Sequence, residues 1–184
     1  MTTVFTIGHG NRPLDELIAL LQQARIERLV DVRAFPASRR HPHFARAALE
    51  RTLPDAGIDY LWDGPALGGR RRPAANSPHT ALRNASFRAY ADHMMRPDFQ
   101  AALDRLIDFG GERRAALMCA ERLPWRCHRF LISDSLIARD IAVMHIVSAG
   151  EMRQHAFSKF ARIDGGLLVY DVGVPSNLDL KIDQ

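Results

Sequence analysis

The sequence lacks a long apolar segment, a secretory signal and a disulfide framework. No apolar run approaches the ~20 residues that a helix needs to cross a bilayer. The N-terminal residues 1–4 do not show the basic and then apolar pattern of a signal peptide. The 184 residues include only two cysteines, which is typical of a reducing compartment. These absences predict a cytoplasmic protein without a membrane partner.

Lysine is also scarce, because only Lys159 and Lys181 among the 25 lysine and arginine residues are lysine. Arginine therefore carries most of the positive charge behind the formal net charge of +4. The arginines gather in three parts of the chain, within 33–46, 70–72 and 122–129. Guanidinium groups bind phosphate and carboxylate through paired hydrogen bonds. The clusters predict either anion recognition or a solvated basic surface.

The apolar pattern predicts alternating strands and helices. Short apolar runs predict strands at 4–7, 29–32, 58–61, 115–119 and 142–147, and helical spacing predicts helices at 14–21, 45–53, 87–95, 99–109 and 125–139. This order is typical of an open, mostly parallel sheet with helices on both faces, a Rossmann-like three-layer α/β fold. A closed barrel of eight strand–helix units needs about 250 residues and is not expected.

The chain is predicted to form a single domain. Residues 1–150 form the α/β core, and residues 151–184 form a C-terminal extension of the same domain. Within the extension, Asp164-Gly165-Gly166 separates two apolar runs and predicts a β-hairpin. Residues 62–85 contain many glycines and prolines, which predicts an irregular loop long enough to act as a lid.

Polar and reactive residues follow three of the predicted strands. They are Gly8, His9 and Gly10 after the first strand; Asp31, Arg33, Ser38 and Arg39 at the second; and Cys119, Glu121, Arg126, Cys127, His128 and Arg129 at the fourth. In open α/β sheets, ligands bind outside the carboxyl ends of the strands. The sequence therefore predicts a functional site at this edge of the sheet.

Roles for these residues follow from their chemistry. The candidate catalytic residues are His9, Cys119 and Glu121: His9 or Glu121 would move a proton, and nearby arginines would stabilise a Cys119 thiolate. The candidate anion-binding residues are Arg33, Ser38, Arg39, Arg126, His128 and Arg129, together with Tyr90, which could stack on a planar substrate with Phe87. The candidate supporting residues are Asp31, Gly8, Gly10, Gly68 and Gly69.

Several of these residues also have a structural interpretation. Cys127 shares a helical stripe with Leu131 and could face the core. Glu121 could cap the helix that follows it or pair with Arg129. Asp31 and Arg33 point to the same side of a strand, so their pairing could lock the following loop instead of binding a ligand.

Known cofactor and catalytic motifs match poorly. Gly8-His9-Gly10 resembles the start of a dinucleotide-binding loop, but Pro13 replaces the third glycine. A phosphatase loop of the Cys-x5-Arg type would need arginine where Trp125 stands. Zinc held by Cys119, Cys127 and His128 is an alternative that no short Cys-x2-Cys spacing supports. No metal or cofactor is therefore expected.

The motifs together resemble a known family. They are Thr6-Ile7-Gly8-His9-Gly10, Asp31-Val32-Arg33 with Pro36 and Ser38, Leu67-Gly68-Gly69, Phe87 with Tyr90-Ala91 and Met94, Met118-Cys119-Ala120-Glu121, and Cys127-His128-Arg129. Over residues 3–147 the chain is similar to the bacterial and archaeal family called domain of unknown function 488. The resemblance implies a compact cytoplasmic α/β protein and no particular reaction. The chain departs from the family pattern at Gly10, where serine is expected.

Two functional hypotheses follow from the sequence. The first is a small α/β enzyme, a hydrolase or a transferase, that binds an anionic, phosphate-bearing or nucleotide-like substrate. The alternative is a nucleic-acid-binding module that places its arginine clusters on phosphates. The sequence contains no helix-turn-helix, zinc-finger or RNP aromatic pattern, which counts against the alternative. The oligomeric state is left open.

Overall fold

The computed structural model describes residues 2–37 and 40–173. In chain order its elements are β1 (Thr3–Gly8), α1 (Leu14–Gln23), β2 (Arg28–Asp31), α2 (Arg46–Asp55), β3 (Asp59–Trp62), α3 (Gly64–Leu67), α4 (Ala85–Met94), α5 (Pro97–Glu112), β4 (Ala115–Cys119), α6 (Arg129–Ile137), β5 (Ala142–Ser148), β6 (Glu151–Gln154), β7 (Ala161–Asp164) and β8 (Leu167–Tyr170). Short 3-10 turns precede α2 and α6 at Pro42–Phe44 and Pro124–Arg126.

One sheet has the strand order β3-β2-β4-β1-β5-β6, and β7 and β8 form a separate antiparallel hairpin. Strands β1 to β5 pair in parallel, whereas β6 pairs antiparallel with β5. The structure confirms the mostly parallel α/β sheet and the C-terminal hairpin. The sequence did not indicate β6, because its four residues Glu-Met-Arg-Gln contain a single apolar side chain.

Alternate residues of the central strands face opposite sides of the sheet. Val4 and Leu117 belong to the core formed with α4, α5 and α6. Their neighbours Phe5 and Ala116 belong to a second core formed with α1 and α2. Because side chains alternate along a strand, helices can cover both faces, and the three-layer arrangement follows.

The helix predicted at 125–139 is the main correction to the expected elements. It is divided into the 3-10 turn Pro124–Arg126 and helix α6, which begins at Arg129. Cys127 between them has extended backbone angles, φ −134° and ψ 150°. Cys127 belongs to the same core as Leu131 of α6, so the apolar spacing continues across the break and the sequence pattern alone does not reveal it.

Two smaller differences concern prolines and the long loop. Helix α2 continues one residue beyond Pro54 to Asp55, since a proline in the last turn removes only one backbone hydrogen bond. The predicted loop at 62–85 contains the short helix α3. Among the described residues, no helix has the length and apolar character that a membrane crossing requires.

Candidate functional site

Three adjacent strands deliver the candidate site residues to one edge of the sheet. Gly8 at the end of β1 is in register with Cys119 at the end of β4, and Asp31 at the end of β2 is in register with Met118. Beyond the strands, the His9 amide donates a hydrogen bond to the Cys119 carbonyl at 2.9 Å. The loops after β1, β2 and β4 are therefore held side by side.

Close backbone approach explains the glycine at the end of β1. A Cβ atom added to Gly8 would lie 2.0 Å from the Glu121 carbonyl oxygen. No side chain fits at that distance, so glycine is required where the loop after β4 crosses the end of β1. Gly10 adopts a positive φ of 56° in the loop after β1, and Gly68 follows the end of α3.

The alternation of side chains separates the candidates into two groups on opposite faces of the sheet. Asp31, Arg33 and His9 lie on the side of α1 and α2, where His9 stacks on Phe44 with ring centroids 4.2 Å apart. Cys119 belongs to the core on the side of α4 to α6. His9 and Asp31 therefore lie on one side of the sheet and Cys119 on the other, while Arg33 reaches the edge and lines the same cavity as Cys119.

The group on the α1 side is buried and internally paired. Asp31 accepts hydrogen bonds from Arg33 Nε at 2.8 Å and Nη2 at 2.5 Å, and from the Tyr60 hydroxyl at 2.6 Å. Arg33 also donates to the Phe44 carbonyl at 2.8 Å, and its Nη1 contacts His9 Nε2 at 3.2 Å. Most donors of Arg33 are thus engaged within the protein, which is the loop-locking arrangement considered from the sequence.

His9 is held as a neutral ring in this group. Its Nδ1 contacts the Gly10 carbonyl at 2.8 Å and therefore carries the proton, so Nε2 accepts from Arg33. Burial, followed by the positive charge of Arg33, lowers the pKa of His9 from 6.5 to about 4. Both ring nitrogens are engaged within the protein, which leaves His9 with a positioning role for the loop after β1.

The group on the α4 side consists of Cys119, Cys127 and His128. His128 Nδ1 lies 3.6 Å from Cys127 Sγ and 3.9 Å from Cys119 Sγ. His128 Nε2 lies 3.1 Å from the Val32 carbonyl. Because a carbonyl oxygen only accepts, Nε2 carries a proton, and Nδ1 is the nitrogen that can take a proton from a thiol.

Arg129 places a buried positive charge beside Cys127. Its Nε donates to Cys127 Sγ at 3.5 Å, and Nη2 donates to the Glu121 carbonyl at 2.5 Å. The side chain of Arg129 is only 1% exposed, and no carboxylate of the described residues forms an ion pair with it. A buried cation without a direct counter-charge favours an anion next to it. The nearest group able to become one is the Cys127 thiol.

The surroundings shift the pKa values of the two thiols in opposite directions. Burial opposes ionisation of Cys127, but hydrogen bonds from Cys119 and His128 and the charge of Arg129 lower its pKa well below the ordinary value. The hydrogen bond to Cys127, together with burial, raises the pKa of Cys119 well above the ordinary value. The arrangement therefore favours a Cys127 thiolate that accepts a hydrogen bond from the Cys119 thiol.

A cleft opens onto these sulphur atoms. It has a volume of about 430 Å³ and is lined by Gly69, Arg70, Phe87, Tyr90, Arg126 and the Cys–His group. A smaller cavity of about 260 Å³ shares Gly69, Arg70, Cys119 and His128 with it and extends to Arg33. A Cβ atom on Gly69 would lie 3.3 Å from His128 Nδ1, so glycine keeps this side of the cleft open.

The remaining candidates differ in how they relate to the cleft. Glu121 is exposed and lines the cleft, and its carboxylate accepts from the Leu123 amide at 3.3 Å. Arg129 contacts the backbone carbonyl of Glu121 rather than its carboxylate. Tyr90 is 1% exposed and places its ring 4.9 Å from that of His128, so it supports the histidine. Ser38 and Arg39 lie outside the described residues.

A buried chain of polar groups behind the cleft was missed from the sequence. It runs from Arg129 through Thr6, His145 and His155 to Asp134, with successive contacts of 3.4, 2.7, 3.0 and 2.9 Å. With both rings neutral, one donor direction satisfies every contact, from the guanidinium to the carboxylate. The available signal was Asp134, a carboxylate within the apolar stretch of α6.

Cys119, Cys127 and His128 could also hold a metal ion. The ligand atoms of Cys119, Cys127 and His128 all lie within 4.8 Å of one another. Zinc accepts such ligands but is usually four-coordinate, so a fourth ligand would have to come from elsewhere. Arg129 opposes this use, because its Nε–H already points at Cys127 Sγ and its charge repels a cation.

Comparison with known proteins identifies the family. No curated protein and no solved structure matches the chain. The family model described as "Domain of unknown function DUF488" matches residues 13–136, which is more than half of the chain and includes the cleft residues from Gly69 to His128. The chain therefore belongs to the DUF488 family.

Proposed function

We propose that this protein is an enzyme that uses the Cys127 thiolate as a nucleophile on an anionic substrate bound in the cleft. The observation that supports it best is the surroundings of Cys127 Sγ, with His128 Nδ1 at 3.6 Å and Arg129 Nε at 3.5 Å. A base and a fixed cation beside one sulphur form the arrangement that activates cysteine. The proposal thus moves the nucleophile from Cys119 to Cys127 and gives Cys119 the role of hydrogen-bond donor.

The chemistry follows from the order of these contacts. His128 accepts the Cys127 proton at Nδ1 while its Nε2–H stays on the Val32 carbonyl. The sulphur attacks an electrophilic carbon or phosphorus atom, and the bond to the leaving group breaks as the new bond forms. His128 gives its proton to the leaving group and then removes a proton from the water that hydrolyses the intermediate. Another acceptor in place of water would make the reaction a group transfer.

The charge of the cleft supports an anionic substrate, such as a phosphate-bearing or nucleotide-like molecule. Arg70 and Arg126 are exposed and line the cleft, where their guanidinium groups can bind phosphate or carboxylate oxygens. Phe87 lines the same cleft and offers an apolar ring surface to a planar group. Arg33 and Arg129 support the site from within, since both are buried and engaged with protein atoms.

Nucleic-acid binding has less support, because several arginines are buried or already bonded to other groups of the protein. Arg33 and Arg129, one from each of two sequence clusters, are buried. Arg46 pairs with Glu50, and Arg71 donates to backbone carbonyls at 2.8 Å. Fewer guanidinium groups are free for phosphates than the sequence count indicates.

Alkylation of the two cysteines, followed for each residue by mass spectrometry, tests the proposal. With iodoacetamide, Cys127 is expected to react with an apparent pKa well below ~8.5, the value of an unperturbed thiol. His128→Asn should raise this apparent pKa, because the variant lacks the proton acceptor. The proposal would be overturned if neither cysteine reacted until the protein unfolded. It would also be overturned if the cysteines reacted only after a chelator was added.

The charge of the cleft can be tested with the same reaction. Iodoacetate carries a negative charge and iodoacetamide does not. A cationic cleft should therefore raise the ratio of the iodoacetate rate to the iodoacetamide rate above the ratio measured with the unfolded chain. Arg126→Gln should reduce this preference about two- to threefold, and added salt should also reduce it. The matched control is Arg51→Gln, which removes an exposed charge from α2 on the other face of the sheet. Equal effects of the two variants would contradict an anion site in the cleft.

A further inference from the structure

A second cavity lies beside the cleft and has a different character. Its volume is about 540 Å³, within the range of small-molecule sites. Phe87, Trp125, Phe130, Phe157 and Phe160 contribute aromatic walls. Phe87 lines both the cleft and this cavity. The rest of the cavity is formed largely by the C-terminal extension packing over α6, a part of the molecule that the proposed thiolate chemistry does not use.

Unusual exposure of aromatic rings marks the mouth of this cavity. Trp125 is 45% exposed, Phe160 is 41% exposed and Phe157 is 36% exposed. Large apolar side chains clustered on the surface of a soluble protein are typical of binding sites. The rings lie on two separate segments that both line the cavity, the 3-10 turn before α6 and the chain between β6 and β7.

Two cations lie against the aromatic rings of the mouth. The guanidinium carbon of Arg153 lies 5.7 Å from the centre of the Trp125 ring, and Lys159 Nζ lies 5.2 Å from that of Phe160. Arg153 also pairs with Glu151 at 2.6 Å, whereas Lys159 forms no ion pair with a described residue, so Lys159 carries most of the unbalanced positive charge. Among the described residues that line the cavity there is no aspartate or glutamate. A ligand with an apolar body and a negative end matches this pattern.

The floor of the cavity offers few hydrogen bonds to a ligand. His155 and Tyr170 line it, but His155 is bonded to His145 and Asp134, and the Tyr170 hydroxyl donates to Asp134 at 2.9 Å. Because these polar atoms are already paired within the protein, the interior can bind an apolar group at no cost in lost hydrogen bonds. Affinity would come from apolar burial inside and from charge at the mouth.

We propose that this aromatic cavity binds an amphipathic organic anion, with its ring or acyl chain against Trp125 and Phe130 and its anionic group beside Arg153 and Lys159. The complementary charge at the mouth and the paired polar floor select this occupant over a sugar or a polar peptide, which would need hydrogen-bond partners inside. The site is independent of the thiolate at Cys127.

Fluorescence titration with anilinonaphthalene sulfonate, an aromatic anion, tests the proposal on the full-length protein. Saturable binding of one molecule per chain is expected, with quenching of Trp125. Phenylnaphthylamine, which has the same rings without the sulfonate, should bind more weakly, and its affinity should not change with salt. Absence of saturable binding, or equal affinity and salt dependence for both probes, would overturn the proposal.

Variants locate the probe and separate this site from the cleft. Trp125→Ala should weaken sulfonate binding about tenfold, and Arg153→Gln about threefold without changing phenylnaphthylamine binding. Ile163→Ala, at an exposed apolar residue of the β7 hairpin strand, and Cys127→Ser should leave both affinities unchanged. Because the sulfonate also binds partly unfolded chains, each variant must retain a cooperative unfolding transition. Binding that survives both Trp125→Ala and Arg153→Gln would place the probe elsewhere and refute the assignment.

Discussion

Acidification should destabilise the protein through His145, the central member of the buried polar chain. His145 is 5% exposed and lies between Thr6 and His155, with Arg129 as the nearby fixed charge. Burial, followed by the neighbouring His155 ring and the positive charge of Arg129, lowers the pKa of His145 from 6.5 to about 3. Between these two values the unfolded chain binds a proton that the native ring does not. Stability therefore falls as the pH falls through this window.

The magnitude follows from the two pKa values. At about pH 5 the unfolded ring is almost fully protonated and the native ring is not, which lowers the free energy of unfolding by roughly 2 kcal/mol relative to about pH 8. Denaturant unfolding of the protein and of His145→Asn at both pH values isolates this contribution. The variant should be less stable at about pH 8, because it loses the contact with His155, but its stability should decline by roughly 2 kcal/mol less on acidification. Parallel declines would refute the assignment of a buried neutral His145.

Two further substitutions test the packing of the sheet edge. Asp31→Asn leaves the buried Arg33 without its counter-charge and should reduce the free energy of unfolding by about 3–5 kcal/mol, whereas Glu50→Gln in the exposed ion pair of α2 should cost less than about 1 kcal/mol. Gly8→Ala should prevent native folding or cost several kcal/mol, because its Cβ atom would lie 2.0 Å from a backbone carbonyl. Its control is Gly111→Ala in α5, where no atom lies within 4 Å of the added Cβ and a gain of about 0.5–1 kcal/mol is expected. Denaturant unfolding measures each effect. The assignments would be contradicted if Asp31→Asn and Glu50→Gln reduced the free energy of unfolding by similar amounts, or if the two alanine variants changed it by similar amounts.

Much of the architecture could be predicted from local patterns. Apolar runs and helical spacing depend on which side chains a strand or helix must bury, and this information lies within each segment. The order of those segments then implied parallel strands joined by helices, so the ends of β1, β2 and β4 were expected at a common edge. The edge strand β6 escaped prediction because an exposed antiparallel strand need not bury a continuous apolar face.

The division of the candidate site was decided by the tertiary structure. The sequence placed His9, Arg33 and Cys119 at the same edge, but His9 and Arg33 pack toward α1 and α2 while Cys119 packs toward α4 to α6. The break at Cys127 is followed by Arg129, which donates a hydrogen bond to the Glu121 carbonyl in the loop after β4, a contact between segments that no local pattern records.

The sequence by itself therefore determined which reactive residues this protein has and the sheet edge at which they gather. Only the tertiary structure decided which of them touch. It placed His128 Nδ1 against both sulphur atoms and Arg129 against Cys127, through residues far apart in the chain such as Val32 and Thr6. The physical reason is that acidity and hydrogen-bond direction depend on neighbours in space, and no periodicity along the chain records those neighbours.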